Sequence, residues 1–319
     1  MKNKIVLLAP VSLSFLFSCS TYAADYEFNG LSLSASLGIL SGKAHEYVYH
    51  PETDTKLSQL DWRIKNAPII KGELNYDFLD WLSMNSRGWT TLVKNKAAMD
   101  DYDWLNPYQD NWTHWSHHED TYLNYANELD MSLRAWLMQK QNYKLGLATG
   151  YQWNSFDWKA TGGCYQYYGG LYAGCFPGDQ PGIGYQQKFR TPYVGLAGKY
   201  FINNFEFSGL LKFSDWVSAR DHDEHYARNL TFNERGNSSR YYAATIHSGY
   251  FLKPNMKIFV EASYNHYSNG RADTEIIDND TGERSYFGDS AGLSNKHYTV
   301  ALGYNIFFKR SNSLISTGK

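Results

Sequence analysis

The sequence predicts an all-β fold, a ten-stranded antiparallel transmembrane β-barrel, on three observations. Beyond an N-terminal leader, no apolar run is long enough to cross a membrane as a helix, yet period-two alternation recurs as far as the C-terminal end. Tight turns and long polar stretches follow one another in alternation between these segments. The composition suits a large antiparallel sheet: of 319 residues, 17% are aromatic, including 27 Tyr and 10 Trp, while only 43% are hydrophobic.

Taken in order, the chain opens with Lys2 and Lys4 before an apolar run from Ile5 to Phe17, too short for a membrane-spanning helix. With Thr21-Tyr22-Ala23 after it, this is a signal peptide over residues 1–23, cut after Ala23 or Ala24. The barrel then occupies residues 24–308, and a polar tail covers 309–319. Leu31, Leu33, Ala35, Leu37 and Ile39 share one face of the first strand. Leu123, Tyr125, Leu129, Met131, Leu133 and Leu137 share a face later, as do Tyr242, Ala244, Ile246 and Tyr250, and Ile258, Val260, Ala262 and Tyr264. The last run, Tyr298 to Phe308, is the clearest alternation and ends on an aromatic residue.

Tight turns are predicted near residues 77–80, 140–143, 202–205 and 253–257. Long loops are predicted near 42–56, 96–121, 161–186, 220–240 and 270–294. Four turns and five loops join ten strands, with short connections on one side and long ones on the other. A soluble β-sandwich would also alternate, but the leader, the loop asymmetry and the Tyr/Trp load, which suits interfacial girdles, favour the barrel. A net charge of −2 gives no electrostatic reason to expect a nucleic-acid partner. If Cys19 leaves with the leader, Cys164 and Cys175 remain, and an oxidising compartment pairs them as a disulfide. Closing that loop stabilises the fold by about 3 kcal/mol on the chain-entropy model.

The chemistry concentrates in two alternations, Asp101-Tyr102-Asp103 and Asp221-His222-Asp223-Glu224-His225. On a strand, residues two apart point the same way, so each segment can aim its acids, and in one case an imidazole, into a shared space. Parity raises a difficulty. Strict alternation from Phe205 would place Asp221, Asp223 and His225 on the face of Phe207, Leu211 and Phe213, which read as lipid-facing. A β-bulge between Phe213 and Trp216 is therefore expected, turning Trp216 outward and the trio inward.

Several segments together resemble the omptin family of outer-membrane proteases: Leu40-Ser41-Gly42-Lys43, Ser58-Gln59-Leu60-Asp61-Trp62, Gly88-Trp89-Thr90-Thr91, Met99 to Trp104, Leu123 to Glu128, and Asp223-Glu224-His225-Tyr226. The resemblance runs from about Leu31 to Phe308. It implies a barrel rising above the bacterial outer membrane, with a proteolytic groove at its extracellular mouth. It implies catalytic roles for Asp101, Asp103, Asp223 and His225. It also implies an acidic specificity pocket at Glu46 and Asp221, hence polypeptide substrates with a basic P1 residue. Lipopolysaccharide is implied as partner and activator, with Tyr151 and Lys188 keeping part of the family's pattern while Trp153 and Ser155 depart from it. No other cofactor is expected.

Physically, direct peptide hydrolysis needs an activated water. Asp223 would orient the His225 imidazole, His225 would take the water's proton, and Asp101 with Asp103 would hold the same water from across the groove. Two adjacent carboxylates disfavour double ionisation, so one proton is shared. An Arg or Lys side chain would neutralise Glu46 and Asp221. His114 stands where the family usually has Asp, which predicts a relaxed P1′ preference. A non-catalytic barrel, acting as adhesin or invasin through its loops, is the rival reading, but adhesion does not need all four catalytic-type residues. A porin fits poorly because ten strands leave little lumen. His114, His117, His118 and Glu119 match no zinc spacing, and Asp278, Asp280 and Glu283 complete no calcium loop, so no metal is expected.

Overall fold

A computed structural model describes residues 30–309; the predicted leader, Cys19 and the tail beyond Lys309 lie outside the described residues. Seventeen strand segments make one antiparallel sheet that closes into a ring of ten strands. In chain order they are β1 (Gly30–Tyr49), β2 (Lys56–Leu79), β3 (Leu82–Thr91), β4 (Asn95–Lys96), β5 (Met99–Asp103), β6 (His114–His118), β7 (Asp120–Lys140), β8 (Tyr143–Thr161) and β9 (Cys164–Tyr167). Then come β10 (Tyr172–Cys175), β11 (Pro181–Ile202), β12 (Phe205–Ser214), β13 (Ser218–His225), β14 (Leu230–Gly236), β15 (Tyr241–Lys253), β16 (Met256–Asp278) and β17 (Arg284–Lys309). The ring closes where β1 pairs with β17, from Gly30 opposite Lys309 to Val48 opposite Ala291.

One end is made of four two-residue turns, at 80–81, 141–142, 203–204 and 254–255, where the sequence places them. The other end differs from expectation. Much of the stretches expected to be long loops is paired strand: the upper parts of β1 and β16, all of β5, β6, β9, β10 and β14, and the start of β17. These segments raise the wall well beyond the apolar band. Both of their faces carry polar residues, so the hydrophobic alternation that reveals a strand fades although the backbone stays paired.

The outward face of the lower barrel is apolar, with Leu37, Leu196, Ile246 and Leu302 among its exposed side chains. The interior at that level is filled by ion pairs. Lys71 and Arg87 each reach Glu261 at 2.6 Å, Lys257 reaches Glu206 at 2.8 Å, and Lys212 pairs with Asp130, which also accepts from Tyr193 at 2.7 Å. Paired charges of this kind meet the rule that buried charge must be compensated. They also occupy the lumen, in keeping with a filled small barrel rather than an open pore. Above them, Trp62, Trp158 and Tyr185 stack into an aromatic core, with Trp62 and Tyr185 ring centroids 5.1 Å apart.

Bulges decide which residues face inward, and two of them bear on the alternation read from the sequence. Val194 pairs with Phe213, but Arg190 pairs with Ser218, so residues 190–194 oppose the longer span 213–218. The extra residue switches faces: Phe213 and Trp216 are both exposed, while Val217, Ala219, Asp221 and Asp223 are buried. This is the expected bulge. The second was not expected. Leu123 pairs with Trp158 and Tyr125 with Asp157, which leaves Asn124 as an extra residue. Leu123 therefore turns into the core at 1% exposure and does not share the outward face of Leu129 and Met131.

Candidate active site

The site lies among the strands above the apolar band. On β5, the side chains at 101 and 103 point inward, while Asp100 points outward to Arg63 at 2.9 Å and His117 at 2.7 Å. Ser58, on the neighbouring β2, donates to Asp101 at 3.3 Å. Burial, and then the neighbouring Asp103, pushes Asp101 up to about 8. Burial also raises Asp103, against the opposing pull of Ser58, His114, Arg228 and His225. At neutral pH the couple therefore retains a proton.

Across the cavity, β13 supplies Asp221, Asp223 and His225. Asp223 is fully buried and accepts from His225 Nε2 at 2.7 Å; its other oxygen has no partner. Arg228 follows on a short 3-10 turn, Tyr226–Arg228, that ends in left-handed Asn229. Its guanidinium donates to His225 Nδ1. Arginine has no acceptor, so Nδ1 must carry the lone pair and Nε2 the proton that Asp223 holds. Phe232 packs against the imidazole with ring centroids 4.9 Å apart.

A cavity of about 510 Å³ joins the two walls, and Asp101, Asp103, His114, His225, Arg228 and Glu46 all line it. Glu46, on β1, is 2% exposed. Asp221 lies beneath, accepting from Tyr185 Oη at 3.2 Å and from the Glu234 backbone N–H at 3.1 Å. His114 sits opposite Asp103 in the register and is held between Tyr167 and Tyr168, with ring centroids at 4.9 and 4.4 Å. The Cys164–Cys175 disulfide is formed at the base of the β9–β10 hairpin that carries Tyr167.

His114 and His118 are buried on the inner side while His117 bonds outward to Asp100, so the three imidazoles do not converge on one point. Asp278 caps its own turn by accepting from the backbone N–H of Asp280 and Thr281. Ser116 and His118, which line the same cavity, make a second contact, Oγ to Nε2 at 3.0 Å. His118 Nδ1 has no partner, so this pair lacks the orienting acid of a nucleophilic triad.

Tyr151 and Lys188 lie on adjacent strands, Tyr151 opposite Pro192 and Lys188 opposite Ser155. The register adds what the sequence did not disclose. Lys188 is opposite Arg220, and Arg220 opposite Arg235, so three cations form one row on the outer wall, with Arg190 two residues below Lys188. They line a shallow depression of about 210 Å³ with His222 and Asn233. Three further residues near the cavity, Arg228, Ser58 and Glu234, have no site role in the sequence reading, although Ser58 opens one of the family-like segments. Only Arg228 carries a local signal, its position three residues after His225; the other two depend on cross-strand register.

A family model described as the Omptin family matches residues 27–308. "Plasminogen activator" of Yersinia pestis is 50% identical over 281 residues, covering 88% of this chain and 90% of that protein. "Protease 7" of Escherichia coli (strain K12) is 38% identical over 314 residues, covering 95% of this chain and 98% of that protein. The crystal structure of outer membrane protease OmpT from Escherichia coli matches with a TM-score of 0.85 at 37% identity, covering 88% of this chain and 98% of that one.

Proposed function

The chain belongs to the omptin family and is an outer-membrane endopeptidase, and on that premise we propose that it hydrolyses peptide bonds after Arg or Lys with a directly activated water. One observation carries this reading: a single cavity is lined by the Asp101–Asp103 couple, by His225 with Asp223 bonded behind it, and by the buried acid Glu46. The cavity faces the end opposite the short turns, which in such barrels is the extracellular end.

The steps follow from the chain's own groups. The cationic P1 side chain enters the acidic recess at Glu46 and Asp221. Arg228 leaves His225 Nδ1, and a water takes its place, hydrogen-bonded from the other wall by Asp101. The water oxygen attacks the scissile carbonyl carbon while its proton passes to Nδ1. Asp223, accepting from Nε2–H, keeps the tautomer and stabilises the imidazolium. As the tetrahedral intermediate collapses, the C–N bond breaks and the imidazolium returns the proton to the leaving amine. Substituting His225→Ala or Asp101→Ala in refolded protein with lipopolysaccharide should reduce turnover of an Arg-containing fluorogenic peptide by at least about a hundredfold. Folded variants that retain near wild-type turnover would refute the assignment.

Three finer points belong to the same proposal. His114, seated beside Asp103 in place of an acid, relaxes the P1′ preference. Lys188, with Arg190, Arg220 and Arg235, binds the phosphates of lipopolysaccharide, which acts as activator, and Tyr151 packs lower on the same wall. Plasminogen, named for the Yersinia pestis relative, is a macromolecular substrate to test.

A further inference from the structure

We propose that Glu234 is a third acid of the P1 pocket, and that a basic side chain enters this pocket by exchanging places with a proton held among Glu46, Asp221 and Glu234. The inference rests on the P1 reading above and deepens it. Glu234 on β14 is directly opposite Asp221 on β13, and both side chains point inward. Carboxylate oxygens of Glu46, Asp221 and Glu234 all lie within 4.8 Å of one another. Like charges placed opposite one another on paired strands are destabilising, so this arrangement does not serve the fold.

Two buried acceptor atoms without a partner point to a ligand that donates hydrogen bonds. Glu46 and Glu234 are 2% and 1% exposed, and each has an Oε2 atom with no hydrogen-bond partner. No ion pair reaches any of the three acids among the described residues. The donors that do reach them are neutral: Thr274 Oγ1 to Glu234 at 3.3 Å, Tyr185 Oη and the Glu234 backbone N–H to Asp221. The titratable groups acting most strongly on the cluster are Asp223 from β13, Asp101 from β5 and Tyr185 from β11, none of them a cation; His225 and Arg228 line the same cavity as Glu46, but Arg228 is engaged with His225 and neither bonds to any of the three acids among the described residues.

Three buried carboxylates without a cation cannot all ionise. Burial, and then the neighbouring acids, raises Glu46 and Glu234 well above the usual range, and burial followed by Asp223 moves Asp221 up to about 7. A guanidinium or ammonium reverses that balance. Its N–H donors reach the orphaned oxygens, its charge favours the ionised acids, and the proton departs to solvent. Raising the pH therefore favours binding until the cluster is ionised without help.

The test compares wild type with Glu234→Gln, both refolded as full mature chains with lipopolysaccharide. The peptides differ only at P1: Arg, Lys or citrulline, the neutral isostere of Arg. Removing a charged acceptor should raise KM for the Arg peptide at least about tenfold, with kcat changed far less. Between about pH 5 and pH 8, KM should fall with rising pH in wild type and fall less steeply in the variant. Calorimetry with a non-cleavable reduced-amide arginyl peptide, in two buffers of different ionisation enthalpy, should show proton release that shrinks in the variant. Heat-dependent gel mobility confirms that each variant folds. An unchanged KM and unchanged proton release in folded Glu234→Gln would overturn the proposal. If citrulline and Arg peptides are cleaved equally well by wild type, it is the basic-P1 reading itself that fails.

Discussion

Asp223→Asn isolates the role of the imidazole's partner with the least structural disturbance. Asp223 is fully buried, accepts from His225 Nε2 at 2.7 Å and leaves its second oxygen unpartnered. Asparagine has the same shape, so no cavity forms and the barrel should fold. The change acts on electrons and protons. The amide cannot stabilise an imidazolium by charge, and its NH₂ group can turn towards Nε2 and draw the lone pair to that side. The proton then moves to Nδ1, the nitrogen that must receive one from water. A wrong tautomer of this kind lowers kcat by about 10⁴-fold, equivalent to about 5 kcal/mol of lost transition-state stabilisation. KM for a P1-Arg peptide should change much less, because Asp221 and Glu46 remain. The assay is steady-state cleavage of a fluorogenic peptide by refolded protein, with folding checked by gel mobility. A folded Asp223→Asn enzyme within tenfold of wild-type kcat would refute the claim that Asp223 sets the base.

Other outcomes follow from the same geometry. His114→Asp places an acid beside Asp103 and should restore a preference for P1′ Lys or Arg, read by profiling a peptide library at neutral pH. Lys188→Ala combined with Arg220→Ala breaks the cationic row and should raise the lipopolysaccharide needed for half-maximal activity by about tenfold or more, without altering the barrel's thermal midpoint. Asp221 carries a pH-dependent stability cost whose sign is fixed. Its folded value, about 7, lies above the ordinary carboxylate range, so the folded state binds more protons between the two values and stability falls as pH rises through that window. Asp221→Asn should flatten that fall, measured as denaturant midpoints in detergent from about pH 4 to pH 8.

Much of the fold could be read from the sequence because lipid facing imposes a strict period. The four tight turns and the final strand from Tyr298 to Phe308 followed directly. The bulge after Phe213 was also legible, since the acid trio and the lipid-facing aromatics demanded opposite faces. The bulge at Asn124 was not, because both Leu123 and Leu129 are apolar and either face would accept them. The raised wall was hidden for a different reason: with polar residues on both faces, its strands look like loops. In the proposed site, the i, i+2 spacing pointed to Asp101, Asp103, Asp223 and His225, and the family resemblance supplied their roles. Glu234, Arg220 and Arg235 were out of reach because their meaning lies in who stands across the sheet, which no local pattern encodes.

The account turns on one water gripped from two walls of the cavity. A crystal structure of the protein with a non-cleavable arginyl peptide would test it most directly. The account predicts Arg228 displaced from His225 and a single water within about 2.6–3.2 Å of both the Asp101 carboxylate and His225 Nδ1, facing the scissile carbonyl. A peptide seated in the groove with no such water, or with Asp101 and Nδ1 too far apart for one water to bridge, would contradict it.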